Sequence, residues 1–208
     1  MNRIGTVIVG ALQSSSLRVL AVSIGLCLAA GAGVQAATVG WYGEQLASSP
    51  TLGEGWEPAI AADPSAPYVY GAWMQYVGSK IQIYIRTSTD GGTSFGAAKL
   101  ICPSCGTGTG QYDIVMATTA NGALYATYMQ SNKISFTKSL DHAATWMAPI
   151  TVSGSSWSDK PWIATSPDGH HIYISWTSRG NVYAVASHND GNSFSTPLKI
   201  TNETGIYY

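Results

Sequence analysis

The chain has 208 residues, of which 45% are hydrophobic, 11% aromatic and only 10% charged, with a formal net charge of −1. This is the composition of a folded protein, long enough for one large domain or two small ones, and it excludes an intrinsically disordered chain. No basic stripe runs through it, so nucleic acid is not expected as a partner.

At the start of the chain, Arg3 and Arg18 precede an apolar run over 19–34, VLAVSIGLCLAAGAGV, that closes on Val34-Gln35-Ala36-Ala37. A basic beginning, an apolar middle and a small-residue end are the parts of a secretory signal peptide, here 1–36 with cleavage after Ala36. The alternative is an uncleaved anchor, but so short a run, rich in Ala and Gly, falls below the roughly 20 residues that cross a bilayer. Lipid attachment at Cys27 meets Leu26 where a small residue is wanted. The expectation is a secreted, periplasmic or cell-surface protein with no membrane span once the leader is cut. The remainder then carries 8 basic and 11 acidic side chains, a net charge of −3.

Residues 37–55 form an approach segment without periodicity, and from there to the end the chain repeats. Trp73, Tyr128 and Trp176 share a frame: thirteen residues before them stand Ile60, Val115 and Ile163, and three before stand Tyr70, Tyr125 and Tyr173. Each repeat reads as four short strands. They are predicted at 58–62, 68–74, 81–88 and 95–101; at 113–117, 123–129, 133–138 and 146–152; and at 161–164, 172–177, 181–187 and 194–200. Turns fall at Asp63-Pro64-Ser65, Ala120-Asn121-Gly122 and Ser166-Pro167-Asp168-Gly169. The alternation in YVYGAW and IYISW is that of half-buried antiparallel strands, and no stretch beyond the leader sustains a helical period.

Between third and fourth strands each repeat carries a polar corner. The first is Ser88-x-Asp90-x-Gly92-x-x-Phe95; the second has Ser139, Asp141, Ala143 and Trp146; the third has Ser187, Asn189, Gly191 and Phe194. The starts lie 51 and 48 residues apart, a period that makes each repeat one supersecondary unit. An Asp or Asn oxygen accepts from backbone N–H groups just ahead of it, Gly takes a positive φ, and the aromatic folds back into the core. Ala143 stands where Gly belongs, which means either about 1 kcal/mol of backbone strain or a different turn.

With these corners and the strands around them, residues 55–200 resemble the sialidase-like family of Asp-box, or BNR-repeat, proteins. The resemblance implies an all-β fold, a β-propeller of four-stranded antiparallel blades, three of them present here as part of a six-bladed sialidase-type propeller. The domain would be 56–208, with blades at about 56–102, 111–153 and 158–201. Either the chain is cut at its C-terminus, or two copies associate to close one ring. The family's boxes lie on the rim opposite its active face, so Asp90, Asp141 and Asn189 are turn-formers rather than catalysts.

The resemblance points for chemistry to the start of each innermost strand. There stand Trp56-Glu57-Pro58, Tyr112-Asp113 and Asp159-Lys160-Pro161-Trp162. Glu57, Asp113 and Asp159 are the candidate catalytic acids, able to transfer protons or accept sugar hydroxyls, and Trp56, Tyr112 and Trp162 are candidate stacking faces. The alternative is that the acids satisfy backbone donors. The resemblance implies glycoside hydrolysis of the exo-sialidase type on a glycan or glycoconjugate, with a non-catalytic glycan- or protein-binding module as the second reading. Sialidases clamp the substrate carboxylate with three arginines; beyond the leader this chain has only Arg86 and Arg179. Arg179 is the better substrate-binding candidate, in a turn between second and third strands.

Cys102 and Cys105 are left after the leader; a small loop disulfide is favoured over a redox motif or half a metal site, because no second pair exists for zinc. No cofactor and no metal site is expected. His170 and His171 follow a turn and read as solvated, and His142 and His188 fill variable corner positions.

Overall fold

The computed structural model describes residues 54–105, 109–154 and 156–201, all in the unit Glu44–Tyr208. Residues 1–36, expected as a leader, and nearly all of the expected approach segment lie outside the described residues. Three antiparallel sheets follow one another. The first is β1 (Gly55–Ala62), β2 (Val69–Val77), β3 (Lys80–Ser88) and β4 (Lys99–Leu100); the second is β5 (Gln111–Thr118), β6 (Leu124–Gln130), β7 (Lys133–Ser139) and β8 (Ile150–Thr151). The third is β9 (Asp159–Thr165), β10 (Ile172–Ser178), β11 (Asn181–Ser187) and β12 (Leu198–Lys199). Each is a meander in chain order, and the leading strands β1, β5 and β9 are neighbours. Among the described residues there is no α-helix, and no helix long and apolar enough to cross a membrane.

Two expectations need correction. The fourth strands are two residues each rather than seven. After each corner one bond ties the chain back, from the N–H of Gly96, Met147 or Ser195 to the third strand, and pairing resumes only near Lys99, Ile150 and Leu198. In the second and third sheets Pro149 and Pro197 fill that gap, and a proline has no N–H to give a ladder. The register also equates Ile60 with Met116, not Val115, since Ile60 faces Gly71, Met116 faces Ala126 and Ile163 faces Ile174. The β5–β6 turn is one residue shorter than the others, which shifts every position counted backward across it.

The corners form alike in all three sheets. Ser88 Oγ accepts from the Gly92 N–H at 2.8 Å and donates to Asp90 Oδ1 at 2.7 Å, and Asp90 Oδ1 accepts from the Ser94 N–H at 2.9 Å. Ser139, Ala143, Asp141 and Thr145 repeat this at 2.9, 2.8 and 2.9 Å. Ser187, Gly191, Asn189 and Ser193 repeat it at 3.0, 2.9 and 3.0 Å. The serine is therefore the hub of the motif. Ala143 keeps the turn at φ 63°, so the cost is strain and not a change of turn.

Two cores fill the gaps between sheets. Tyr70, Met74, Ile83 and Ile85 pack against Met116, Leu124, Ala126 and Tyr128, and Tyr125, Met129, Ile134 and Phe136 pack against Ile163, Ile174, Trp176 and Val185. One repeated tyrosine shows what the stacking does: Tyr70 is 0% and Tyr125 2% exposed, each beneath the next sheet, while Tyr173 at the same register is 48% exposed. Trp146 and Phe194 plug the cores in front of their own sheets. Cys102 and Cys105 are joined in a disulfide across a short 3₁₀ turn, with Cys102 inside the first core.

Candidate functional site

Each leading strand slips register at two residues. The ladders break between Trp56 and Ala59, between Tyr112 and Val115, and between Asp159 and Trp162. The first extra residue of each bulge is left-handed: Glu57 at φ 45°, Asp113 at 55° and Lys160 at 50°. A non-glycine residue there costs on the order of 1–2 kcal/mol, and a bulge re-aims the side chain out of the ladder's alternation. Three such residues in three equivalent bulges converge.

Lys160 Nζ lies 2.8 Å from Asp113 Oδ1 and 3.6 Å from Glu57 Oε1, and the Asp113 N–H donates to Glu57 Oε2 at 3.0 Å. Asp159, next in the chain, accepts the Lys160 N–H at 2.9 Å. Burial pushes the Asp113 carboxyl up, but hydrogen bonds from Glu57, Asp159 and Lys160 outweigh it and hold the group at about 2. Glu57 is raised, chiefly by its side-chain hydrogen bond to Asp113 and then by burial. Asp159 is raised by burial and by its hydrogen bond to Asp113. The bond to Asp113 raises Lys160. An ionised carboxylate thus sits between two carboxyls that keep their protons longer, a division of roles that acid–base chemistry requires.

The three acids expected from the sequence are together, but their register is not the expected one. Lys160, not Asp159, is the equivalent of Glu57 and Asp113; Asp159 is the equivalent of Trp56 and Tyr112. Lys160 was the missed member. A signal for it existed, since Lys160 precedes Trp176 by the same sixteen residues that separate Glu57 from Trp73.

The expected aromatics stand in different surroundings, with Trp56 and Tyr112 packed against the first core and Trp162 exposed. Trp56 is half-buried and stands edge-on to Tyr76 at 5.2 Å. Tyr112 packs between the sheets against both cores. Trp162 is 68% exposed and alternates with Pro161 and Ile163, which are buried. Arg179 is exposed in the β10–β11 turn at φ 49°. That turn is at the acids' end of the sheet, because Ser178 pairs with Asn181 while Thr177 pairs with Asp159. Among the described residues the Arg179 side chain makes no ion pair. Arg86 lies 5.9 Å over the Trp73 ring. The polar corners are at the other end of the strands, where Ser88 pairs with Val69 and Val69 with Ala62. Among the described residues, no group of three or more His, Cys, Asp and Glu is arranged to hold a metal.

No protein-family model matches the chain. No curated protein matches it either. The fold is similar to that of solved glycoside hydrolases. The catalytic domain of the Coprinopsis cinerea GH62 alpha-L-arabinofuranosidase matches with a TM-score of 0.52 and 14% identity, covering 78% of this chain and 55% of that one. The Podospora anserina alpha-L-arabinofuranosidase PaAbf62A, in complex with cellotriose, matches with a TM-score of 0.52 and 12% identity over 77% and 55%. The Ruminococcus gnavus intramolecular trans-sialidase matches with a TM-score of 0.49 and 18% identity over 61% and 28%. The chain spans about half the length of the two arabinofuranosidases.

Proposed function

We propose that the three sheets are successive blades of an exported propeller, with residues 1–36 as its leader, and that the Glu57–Asp113–Asp159 cluster hydrolyses glycosidic bonds. Asp113 carries this reading, a carboxylate kept charged between carboxyls that retain a proton. Glycoside hydrolysis needs one carboxylic acid to protonate the leaving oxygen and one carboxylate to attack or to activate water, about 5 Å or more apart, so the hydrogen-bonded Glu57 and Asp113 must part to admit a sugar between them. Asp113 is the charged partner. Glu57 is the acid, its side chain 43% exposed and so within reach of a leaving group. Asp159 holds the Lys160 backbone and adds to the field around Asp113. Lys160 caps Asp113 at 2.8 Å, and its side chain, 64% exposed, has room to swing away when a sugar enters.

The charge of the site favours a neutral glycan over a sialoside. Three carboxyls face one ammonium, and a carboxylate-bearing sugar needs bidentate arginines that these residues do not supply. Arabinofuranosides, after the arabinofuranosidases of similar fold, and xylo-oligosaccharides, after a GH62 hydrolase of similar fold solved with xylotriose, are the first substrates to test, with a fluorogenic sialoside as the comparison. Release of 4-nitrophenol from an aryl arabinofuranoside or xyloside is expected, with kcat/KM lowered at least a hundredfold, as is usual for lost acid–base groups, in Asp113→Asn and Glu57→Gln of unchanged fold. Turnover of sialosides alone overturns the substrate class. Absence of turnover with oligosaccharide binding retained leaves the binding-module reading, which the Lys160 cap on Asp113 favours.

A further inference from the structure

We infer that the corner end of the third sheet carries a transition-metal site, with Nδ1 of His171 and Nδ1 of His188 as ligands and copper(II) or nickel(II) as its metal. The β10–β11 ladder ends at Ile172 opposite Ser187. His171 and His188 are one step further on, so they face each other across the same two strands. Their rings are 5.0 Å apart and their Nδ1 atoms 2.8 Å apart.

Both backbones are pinned before any metal arrives. The His171 N–H donates to Ser166 Oγ at 3.0 Å, and the His171 carbonyl accepts the Ser166 N–H at 2.9 Å. On the other strand, Ser187 and Asn189 close the polar corner on either side of His188. Pre-organisation of this kind lowers the ordering cost of chelation.

The spacing fits a square-planar or tetragonal metal better than a tetrahedral one. Metal–imidazole bonds are about 2.0–2.1 Å, so two nitrogens 2.8 Å apart subtend about 90° at a shared ion. That is the angle between neighbouring ligands in a square-planar or tetragonal centre, the geometry of copper(II) and nickel(II). A tetrahedral zinc needs nitrogens about half an ångström further apart. Without metal, the contact is a hydrogen bond in which one Nδ1 holds the proton; with metal, that ring carries its proton on Nε2.

The protein supplies two ligands and water the rest. His170 stands beside the pair, its ring 4.9 Å from that of His171, with its Nδ1 3.3 Å from Asp190 Oδ1. His188 is exposed and open to solvent-borne ions. The site is at the opposite end of the sheets from Glu57 and Asp113, so it stands or falls independently of glycoside hydrolysis.

The test is titration of the EDTA-stripped full chain with copper(II) chloride and nickel(II) chloride, by calorimetry and, for copper, by electron paramagnetic resonance. One copper per chain is expected, with splitting from two nitrogens that persists in His170→Ala. His171→Ala and His188→Ala should each lower copper affinity at least tenfold without changing the metal-free melting temperature. If either alanine variant fails to fold, His171→Gln and His188→Gln serve in its place. Equal copper affinity in the wild type and in the His171/His188 double variant overturns the site, as does a folded wild type that takes up no copper.

Discussion

The three corner positions Gly92, Ala143 and Gly191 offer one backbone site in three surroundings, and substituting each yields an ordered set of costs. All are left-handed, at φ 91°, 63° and 73°, so any side chain there bears about 1–2 kcal/mol of strain. At Gly92 a new Cβ meets only Val69 Cγ2, at 3.8 Å, an ordinary contact. Gly92→Ala therefore costs the backbone term alone, about 1–2 kcal/mol. At Gly191 the Cβ would lie 2.6 Å from Phe136 Cζ and 3.1 Å from Ile172 Cδ1. Phe136 is 2% and Ile172 0% exposed, so neither can retreat, and overpacking adds about 1–3 kcal/mol. Gly191→Ala should thus cost roughly 2–5 kcal/mol in all. Ala143→Gly relieves the strain but loses a buried methyl worth about 0.8 kcal/mol, leaving stability nearly unchanged. Urea unfolding of the three variants reads the order directly, and thermal midpoints should follow at about 2–4 °C per kcal/mol. Equal costs at Gly92 and Gly191 would refute the packing difference, and a loss above about 1 kcal/mol in Ala143→Gly would refute the shared left-handed strain.

Two predictions concern charge. Asp90, Asp141 and Asp113 are each held at about 2 in the folded chain, the first two chiefly by hydrogen bonds from Ser94 and Thr145 and the third against burial by its three partners. A depressed carboxyl stabilises the fold above its ordinary value near 4 and stops doing so as pH falls through the folded value. The urea midpoint should therefore drop between about pH 4 and pH 2, and Asp90→Asn with Asp141→Asn should flatten that drop. Glu57 and Asp159 work in the opposite sense: raised in the fold, they favour it most below the ordinary carboxyl range and lose that contribution as pH rises through their folded values. In Lys160→Met the Asp113 carboxyl should titrate higher, because it loses a hydrogen bond and an opposite charge at 2.8 Å. The carboxyl carbon shift of Asp113 against pH reads this, and an unmoved titration would remove Lys160 from the cluster.

The corners were legible because they are local. Ser88, Asp90 and Gly92 make their bonds within a few residues of chain, and the offsets that permit those bonds are written in the order of residues. The strands were legible for the same reason, since alternation at period two needs no distant partner. The fourth strands are overestimated because β propensity at Phe95, Trp146 and Phe194 does not say how far the ladder pairs; the first, with no proline in the gap, is as short as the other two. The convergence of Glu57, Asp113 and Asp159 was foreseen by position in the repeat. The register was not: choosing by acidity picks Asp159, although Lys160 is the residue at Glu57's offset from its aromatic, and the shorter β5–β6 turn moves Asp113 one residue out of that count. Tyr112 is expected on a ligand face and is half-buried against both cores, because only the ladder says which side of a strand is covered.

By itself, the sequence determined three like sheets, each closed by a Ser-Asp or Ser-Asn corner, since every interaction that defines them joins residues close in the chain. Only the tertiary structure decided which charges meet. Glu57, Asp113 and Lys160 are held together by the stacking of one sheet on the next, and so is the burial that separates Tyr70 and Tyr125 from Tyr173. The charged contacts are made across 47 to 103 residues of chain, and their energies depend on distances and solvent exclusion that no local pattern records.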